Sequence, residues 1–576
     1  LKVQFIYLIN KIGSFNMEKQ IKLIALGGQD ERGKNCYLIE YNEDIYLFNI
    51  GVKMPINGAL GINMITVSFQ YLLENKNRIK GIFVGTANFS NIGGLQFLLQ
   101  ELNMDIPIYT SSIGKSIIDC YFEKKVKTRK EILYHIVVLT SLHSLKMKDI
   151  EFIPFRISNY LPESFGWVIK TQIGSIVFID DFFINNNKVK GFNSQLNYLP
   201  NIIGKSEVLA LIVGMGNVGK YDGFTSPNYR TEAFFEGIIN SCPGRIIVAL
   251  NDYNAYSILV LAALAREKSR PFIIYSTTFI NTFNTIIKNK MFNPKHLMAM
   301  PISAIKTAEN SIVIISETEE NLYKKLFSMA ANQIPSIPLN DKDTFVLGTH
   351  LVPGYESHAA KLLDELSRQN LKIYTLPKTV LPLIASNEDQ KFLIDLLKPK
   401  AVFPIEGYYM NYVRYQKVTS KCIKSNDVHF LDNGDYAIIT KDEIKIEREQ
   451  IESNTVKYIS SNGALDSQTS ILLERKQMST SGVVIANVFL NKKEQKFYDY
   501  YDLKTIGLVM NEKDNYLLES LKDKLNYLVV KSIVYKDDNK TIDTATTKIN
   551  LKKNVLRYFE KRTNKKPLVL PTIIEI

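Results

Sequence analysis

The stretch GIFVGTANFSNIGGLQFLLQ (residues 81–100) joins three kinds of local pattern. Gly81-Ile82-Phe83-Val84 reads as the end of a buried strand. Leu95-Gln96-Phe97-Leu98-Leu99-Gln100 reads as the opening of a helix with an apolar face. Between them lies a tight polar turn. Turns of this kind often seat metal ions, because side chains from a rigid strand end and a helix start converge there. Yet from Gly85 to Gly94 there is no His, no Cys and no carboxylate. A chain that builds such a turn without ligands needs an explanation from its surroundings.

Upstream, QIKLIAL (20–26), NCYLIEY (35–41) and DIYLFNI (44–50) read as a meander of short strands. Downstream, helical periodicity covers 91–102 and 112–123, with IPIYT between them as a strand, and SIVFID (175–180) and EVLALIV (207–213) are further buried strands. Past residue 225 strands and helices alternate. A helix near 227–240 precedes RIIVAL (245–250), a helix at 254–267 leads to PFIIYS (271–276), and then SIVIIS (311–316), a helix at 319–331, TFVLGT (344–349), a helix at 356–369 and KIYTL (372–376) follow. This alternation predicts a parallel sheet with helices on both faces. A helix at 387–397 and a strand at 401–405 follow. Residues 441–470 are polar and weakly patterned and read as a linker. The last hundred or so residues carry strands (GVVIANVFL, IGLVM) and two amphipathic helices near 515–530 and 547–562.

The 576 residues suffice for three or four domains, with 45% hydrophobic and 22% charged residues, as in ordinary globular proteins. No run of 18 apolar residues appears, so no membrane span is expected. The opening LKVQFIYLINKIGSFN lacks a small-residue cleavage site and reads as an extension rather than a signal peptide. Cys36, Cys120, Cys242 and Cys422 are widely spaced and form no CxxC, which fits a reducing cytoplasm and excludes a cysteine-based zinc ribbon. A net charge of +13 favours polyanionic partners, nucleic acid first. Lysine enrichment from a biased genome would give the same charge.

Several segments, in order, resemble the ribonuclease J family. They are IALGGQDERGKNCYLIEYNEDIYLFNIGVKMP (24–55), FRISNYLPESFGWVIKTQIGSIVFIDDFF (155–183), GRIIVALNDYNAY (244–256), GTHLVPGYE (348–356), SNEDQKFLIDLLKPKAVFPIEGYY (386–409) and YFEKRTNKKPLVLPTIIEI (558–576). The resemblance implies an α/β architecture, a metallo-β-lactamase αββα sandwich with an inserted Rossmann-like β-CASP domain and a small C-terminal α/β domain. The expected layout is an extension at 1–19, sandwich parts at 20–215 and 372–440, the β-CASP insert at 216–371, a linker at 441–470 and an oligomerisation domain at 471–576.

The resemblance also explains the turn. In the family it reads HxHxDH before Ile-Gly-Gly and holds two zinc or manganese ions. Aligned on Ile92-Gly93-Gly94, the four ligands fall on Thr86, Asn88, Ser90 and Asn91. The family's early Asp falls on Asn49 and the His before SxPDS on Asn159. The HxSGH motif falls on Val380, Pro382, Leu383 and Ile384. The Asp of GDF falls on Asp181, and the last His on Glu406. A catalytic metal needs about four good ligands to lower the pKa of its bound water to ~7. Neutral amides and hydroxyls are poor substitutes and aliphatic side chains offer nothing, so no metal cofactor is expected. Asp181 and Glu406 could hold one labile ion through water. Capping a strand-end turn is the simpler role for each.

For RNA contacts the resemblance implies Asn254 and Tyr256 in NDYNAY, and Pro353, Gly354 and Glu356 in GTHLVPGYE. Here Tyr256 and Ser257 stand where the family has His and Arg, and SETEENL (316–322) replaces a glycine-rich turn with acids. None of the six histidines occupies a family ligand position; His350 and His358 read as surface or packing residues. Polybasic pairs at Lys552-Lys553, Lys561-Arg562 and Lys565-Lys566 fit RNA phosphates or a solvated helix face equally well. Three functional readings follow. The favoured one is a non-catalytic RNA-binding or scaffolding subunit of RNA processing, assembled with itself or with an active ribonuclease J. The second is a ribonuclease rearranged around Asp180, Asp181 and Glu406. The third is a stand-alone RNA- or ribosome-binding protein.

Overall fold

The computed structural model describes residues 19–576, apart from 56–60, 127–132, 186–190, 227–230, 252, 277–278, 352–353, 452–455, 461–462, 466–468, 509–511, 537–539 and 564. The expected extension thus lies almost wholly outside the described residues. The chain divides into two compact units, the larger running to Ala464 and the smaller from Leu465 to Ile576.

In the larger unit two sheets stack face to face. The first has eight strands in the order Ile444–Glu447, Tyr436–Ile439, Ile21–Gly27, Cys36–Tyr41, Asp44–Phe48, Ile79–Phe83, Pro107–Thr110, His135–Val138. The second has six: Ala401–Ile405, Val208–Gly214, Ser175–Ile179, Ser164–Lys170, Ile150–Ile157, Leu145–Met147. Period-two alternation explains the layering. Ile21, Leu23 and Ala25 point into the space between the sheets, while Ile24 and Leu26 point outward under the helices Leu95–Leu102 and Ser112–Val126. Aromatic rings fill the inter-sheet core: Phe83 packs on Phe152 at 4.2 Å, and Phe48 on Phe178 at 4.7 Å between centroids. The outer face of the second sheet is covered by Leu393, Ile394 and Leu397 of the helix Asn387–Leu397 and by Tyr412 and Tyr415 of Tyr409–Thr419. Helix, sheet, sheet and helix form the αββα sandwich of the metallo-β-lactamase fold.

The insert is a five-stranded parallel sheet in the order Phe272–Tyr275, Ile312–Glu317, Ile246–Asn251, Thr344–Leu347, Lys372–Thr375. Ile246, Val248 and Leu250 face one helix layer, Ile247 and Ala249 the other. The alternation read from the sequence therefore appears as a Rossmann-like layer. One boundary moves: Lys372–Thr375 pairs with Thr344–Leu347, so the sheet extends past residue 371, where the sequence reading ended the insert.

The segment 441–470, expected as a linker, also contains strands. Ile444–Glu447 adds an antiparallel edge strand to the first sheet, and Val456–Ser460 pairs with Met64–Val67. In the smaller unit the sheet order is Lys496–Ile506, Val483–Asn491, Leu568–Glu575. The helices Glu512–Ser532 and Thr544–Thr563 cover one face, burying Leu521, Leu525, Leu551, Val555 and Phe559 against Val484 and Val569. Among the described residues no helix is long and apolar enough to cross a membrane.

Candidate functional site

The loops at the strand ends of the sandwich converge on one point. Backbone hydrogen bonds lace them together: Asn35 N donates to Ser90 O (3.0 Å), Ile50 N to Asn91 O (2.7 Å) and Phe165 N to Gly85 O (3.0 Å). Gly85 is required here, since a Cβ would lie 2.3 Å from Phe165 O. Asn49 and Glu406 both hold positive φ, 63° and 62°, a conformation that costs free energy in residues with a side chain.

At the centre stands Asp180, buried beneath the turn. Asn49 Nδ2 donates to Asp180 Oδ1 at 2.9 Å and Asn91 Nδ2 to Asp180 Oδ2 at 3.2 Å. Asn91 Nδ2 also donates to Thr86 O (2.9 Å). Asn35 Nδ2 bridges Asn91 Oδ1 and Glu406 Oε1, each at 2.7 Å. Burial pushes the Asp180 carboxyl up to about 7, opposed by the Asn49 donor. Burial raises Glu406 further, reinforced by the charges of Asp181 and Asp180 and by its hydrogen bond to Asp180. The two carboxyls therefore share a proton, with Glu406 the donor.

The Asn49 and Asn91 amides do not donate to Asp181, although its charge reaches both Asp180 and Glu406. Burial raises Asp181, and Arg32 and Lys220 pull it back down. Strand parity separates the two acids: Ile176 and Phe178 face the first sheet, Val177 and Ile179 the outer helices. Asp180 continues the first series. The sequence held this signal, but alignment to the family drew attention to Asp181.

The remaining family positions are occupied by side chains with other tasks. Asn159 Nδ2 donates to Asp181 O, and its Oδ1 accepts from Tyr160 N. Ile384 presents its carbonyl to Thr225 Oγ1 (2.7 Å). Ser90 O takes the Asn35 amide. Thr86 Oγ1, Asn88 Oδ1 and Asn49 Oδ1 are buried and have no hydrogen-bond partner. The residues do not fit a two-metal centre. Asn49 and Asn91, at two of the family's ligand positions, turn amide N–H groups onto Asp180 rather than offering lone pairs to a cation. Among the described residues no group of three or more His, Cys, Asp or Glu is arranged to hold a metal ion.

Beside this network opens a cleft of about 1010 Å³. Arg32, Lys53, Lys220 and Lys378 line it with Tyr160, Tyr221, Tyr253 and Tyr408, and Val380–Ile384 form an apolar wall. Thr86, Asn88, Ser90 and Asn159 look into it from the degenerate motif positions. Asn254 lines the cleft too, but its Oδ1 accepts from Ser257 N at 3.1 Å and caps the helix Ala255–Glu267. Tyr256 is packed inside, 4% exposed, edge-on to Phe192, so the structure does not offer it to an RNA. Gly354 N donates to Glu356 Oε2 (2.8 Å), which closes their own loop, and Pro353 lies outside the described residues. His350 lines the cleft, its pKa lowered by burial, whereas His358 packs beside Tyr355 and Tyr323.

Residues 470–576 match the model of the Ribonuclease J C-terminal domain. The chain is 38% identical over 569 residues to the uncharacterized protein MG423 of Mycoplasma genitalium, covering 97% of this chain and 100% of that one. It is 26% identical over 569 residues to Ribonuclease J 2 of Streptococcus pyogenes, covering 96% and 99%. It is 25% identical over 565 residues to Ribonuclease J2 of Bacillus subtilis, covering 97% and 99%. The chain belongs to the ribonuclease J family. As a ribonuclease J relative it has the family's scaffold around a centre of amides and two buried carboxyls. Asn35 is the centre residue that the sequence did not single out, and Asp180 entered there only as part of the rearranged-site alternative.

Proposed function

We propose that this ribonuclease J relative binds single-stranded RNA in the cleft without hydrolysing it, and works as a subunit assembled with itself or with a catalytic ribonuclease J. The observation that carries this reading is the pair of amide donors on Asp180. They satisfy a buried carboxyl as metal ions would, and supply no Lewis acid and no activated water. The cleft supports the RNA part. Cations interleaved with tyrosines suit a single strand, whose phosphates meet charge and whose bases stack on rings. Assembly is supported by the open face of the C-terminal sheet, where Tyr500 is 67% and Ile506 62% exposed. Removing residues 471–576 is expected to shift the protein towards monomer, read by light scattering as the number of chains per particle.

The deciding assay is cleavage of 5′-monophosphorylated RNA with Mn²⁺ or Mg²⁺, beside elemental analysis of the purified protein. No turnover and no stoichiometric zinc or manganese are expected. A second reading, a rearranged hydrolase, is favoured by one feature: the shared proton of Asp180 and Glu406 resembles an acid–base pair. Turnover that disappears in an Asp180→Asn, Glu406→Gln double variant would establish that alternative.

A further inference from the structure

Where the family concentrates positive charge in metal ions, this chain gathers positive side chains. The loop after the strand Val208–Gly214 turns through Gly216 and Gly219, with φ of 55° and 77°. It is fixed by Asn217 N to Ala385 O (2.8 Å), Lys220 N to Asn217 O (3.0 Å) and Gly219 N to Asn387 Oδ1 (2.7 Å). This turn delivers Lys220 to the cleft wall. The stem of Arg414 lies flat on Gly219, with Cδ 3.0 Å from where a Cβ would sit, so glycine is what lets the arginine approach. Arg32 reaches the same cleft from a loop held by Glu31, which pairs with Lys34 (3.0 Å) and Lys53 (2.5 Å) and leaves Arg32 unengaged. Among the described residues none of Arg32, Lys220 and Arg414 has a carboxylate in ion-pair contact.

The three sense one another. Lys220 is held below the usual lysine range by desolvation first, then by the charges of Arg32 and Arg414, with Asp181 opposing. Asp30 stands nearby in sequence, but its Oδ1 takes the Tyr409 amide at 3.0 Å. Of the charged side chains that line the cleft, Asp30 and Glu31 are acidic and Arg32, Lys53, Lys220 and Lys378 are basic, so a positive excess remains there. A second feature points to a missing ligand. Thr86 lines the same cleft, is 2% exposed, and its hydroxyl has no partner. A buried hydroxyl without a partner is costly, and an anion oxygen would relieve it.

The geometry points to a metal-independent seat for one RNA phosphodiester, formed by Arg32 and Lys220 with Arg414 behind them, taking over the charge that bound metal supplies in a hydrolysing site. This rests on the RNA-binding reading above and specifies how the strand is held. Guanidinium and ammonium donors make short, strong hydrogen bonds to phosphate and need no cofactor.

The test is fluorescence anisotropy of the full chain with a labelled oligouridine of about twelve nucleotides, a length suited to a single-strand groove. The affinity is expected to be the same with EDTA and with added Mn²⁺. Arg32→Ala and Lys220→Ala should each weaken binding about tenfold and lower the slope of log K against log salt by about 0.7. Arg32→Lys and Lys220→Arg should restore most of both, and Arg414→Ala should act through Lys220 with a smaller loss. Circular dichroism melts confirm that each variant folds. Binding abolished by EDTA, or Arg32 and Lys220 variants that bind as well as the unaltered chain with the same salt slope, overturns the phosphate seat alone. An unaltered chain that binds no RNA overturns the RNA-binding reading and this seat together.

Discussion

The inter-sheet core and the ring of loops at its edge sit a few residues apart in sequence and obey different rules. Phe83 belongs to the core, and Thr86 and Asn91 to the ring. In the core, shape and apolar area decide: rings of Phe48, Phe83, Phe152, Trp167 and Phe178 pack into one cluster. In the ring, hydrogen-bond valence decides. The amide N–H groups of Asn35, Asn49 and Asn91 find acceptors on Asn91, Asp180 and Glu406, while Asn35 Oδ1 and Asn49 Oδ1 stay buried without a partner. The comparison teaches that the scaffold keeps its packing when the side chains at its ring positions change. Polar side chains of the right reach can close the ring, and the strained backbone at Asn49 and Glu406 remains.

The largest expected effect tests the core. Phe83→Ala removes the ring between Phe152 and Trp167 and should cost about 3–5 kcal/mol, read by urea unfolding. A loss below about 1 kcal/mol would show that the core does not dominate. Next comes the ring. Asp180→Ala strands the amides of Asn49 and Asn91, each at a cost of about 1–3 kcal/mol. If metal rather than amide donors satisfied Asp180, the loss would appear only in metal-loaded protein.

Glu406→Gln sharpens the account of the shared proton. An unfolded aspartate releases its proton near 3.8, whereas the folded Asp180 holds on to about 7. Between these values the folded state binds more protons than the unfolded state, so this pair's contribution to stability falls as pH rises. Glutamine keeps both hydrogen bonds of Glu406, donating to Asp180 and accepting from Asn35, without needing that proton. The variant should therefore gain on the parent by a few degrees of melting temperature as pH climbs from about 4 to 8. A difference that does not change with pH would remove the shared proton. The smallest effect separates a cap from an RNA contact: Asn254→Ala should cost about 1 kcal/mol and leave the salt dependence of RNA binding unchanged.

Much of this was legible in the chain. Strand–helix alternation from Ile246 to Thr375 follows from period two and period 3.6, which local sequence carries. The missing ligands were legible too, because a turn between a strand end and Ile-Gly-Gly keeps its place when its side chains change. The short strands Ile444–Glu447 and Val456–Ser460 were not, since their partners are remote segments and their own alternation is weak. The residue sequence alone determined the layers and the absence of imidazole and thiolate at the centre. Only the tertiary structure decided that Asp180 rather than Asp181 faces the amides, that Glu406 joins it, and that Arg32, Lys220 and Arg414 gather beside them. The physical reason is distance along the chain: these groups lie on separate loops, and only the stacking of the sheets brings their charges and hydrogen bonds within reach.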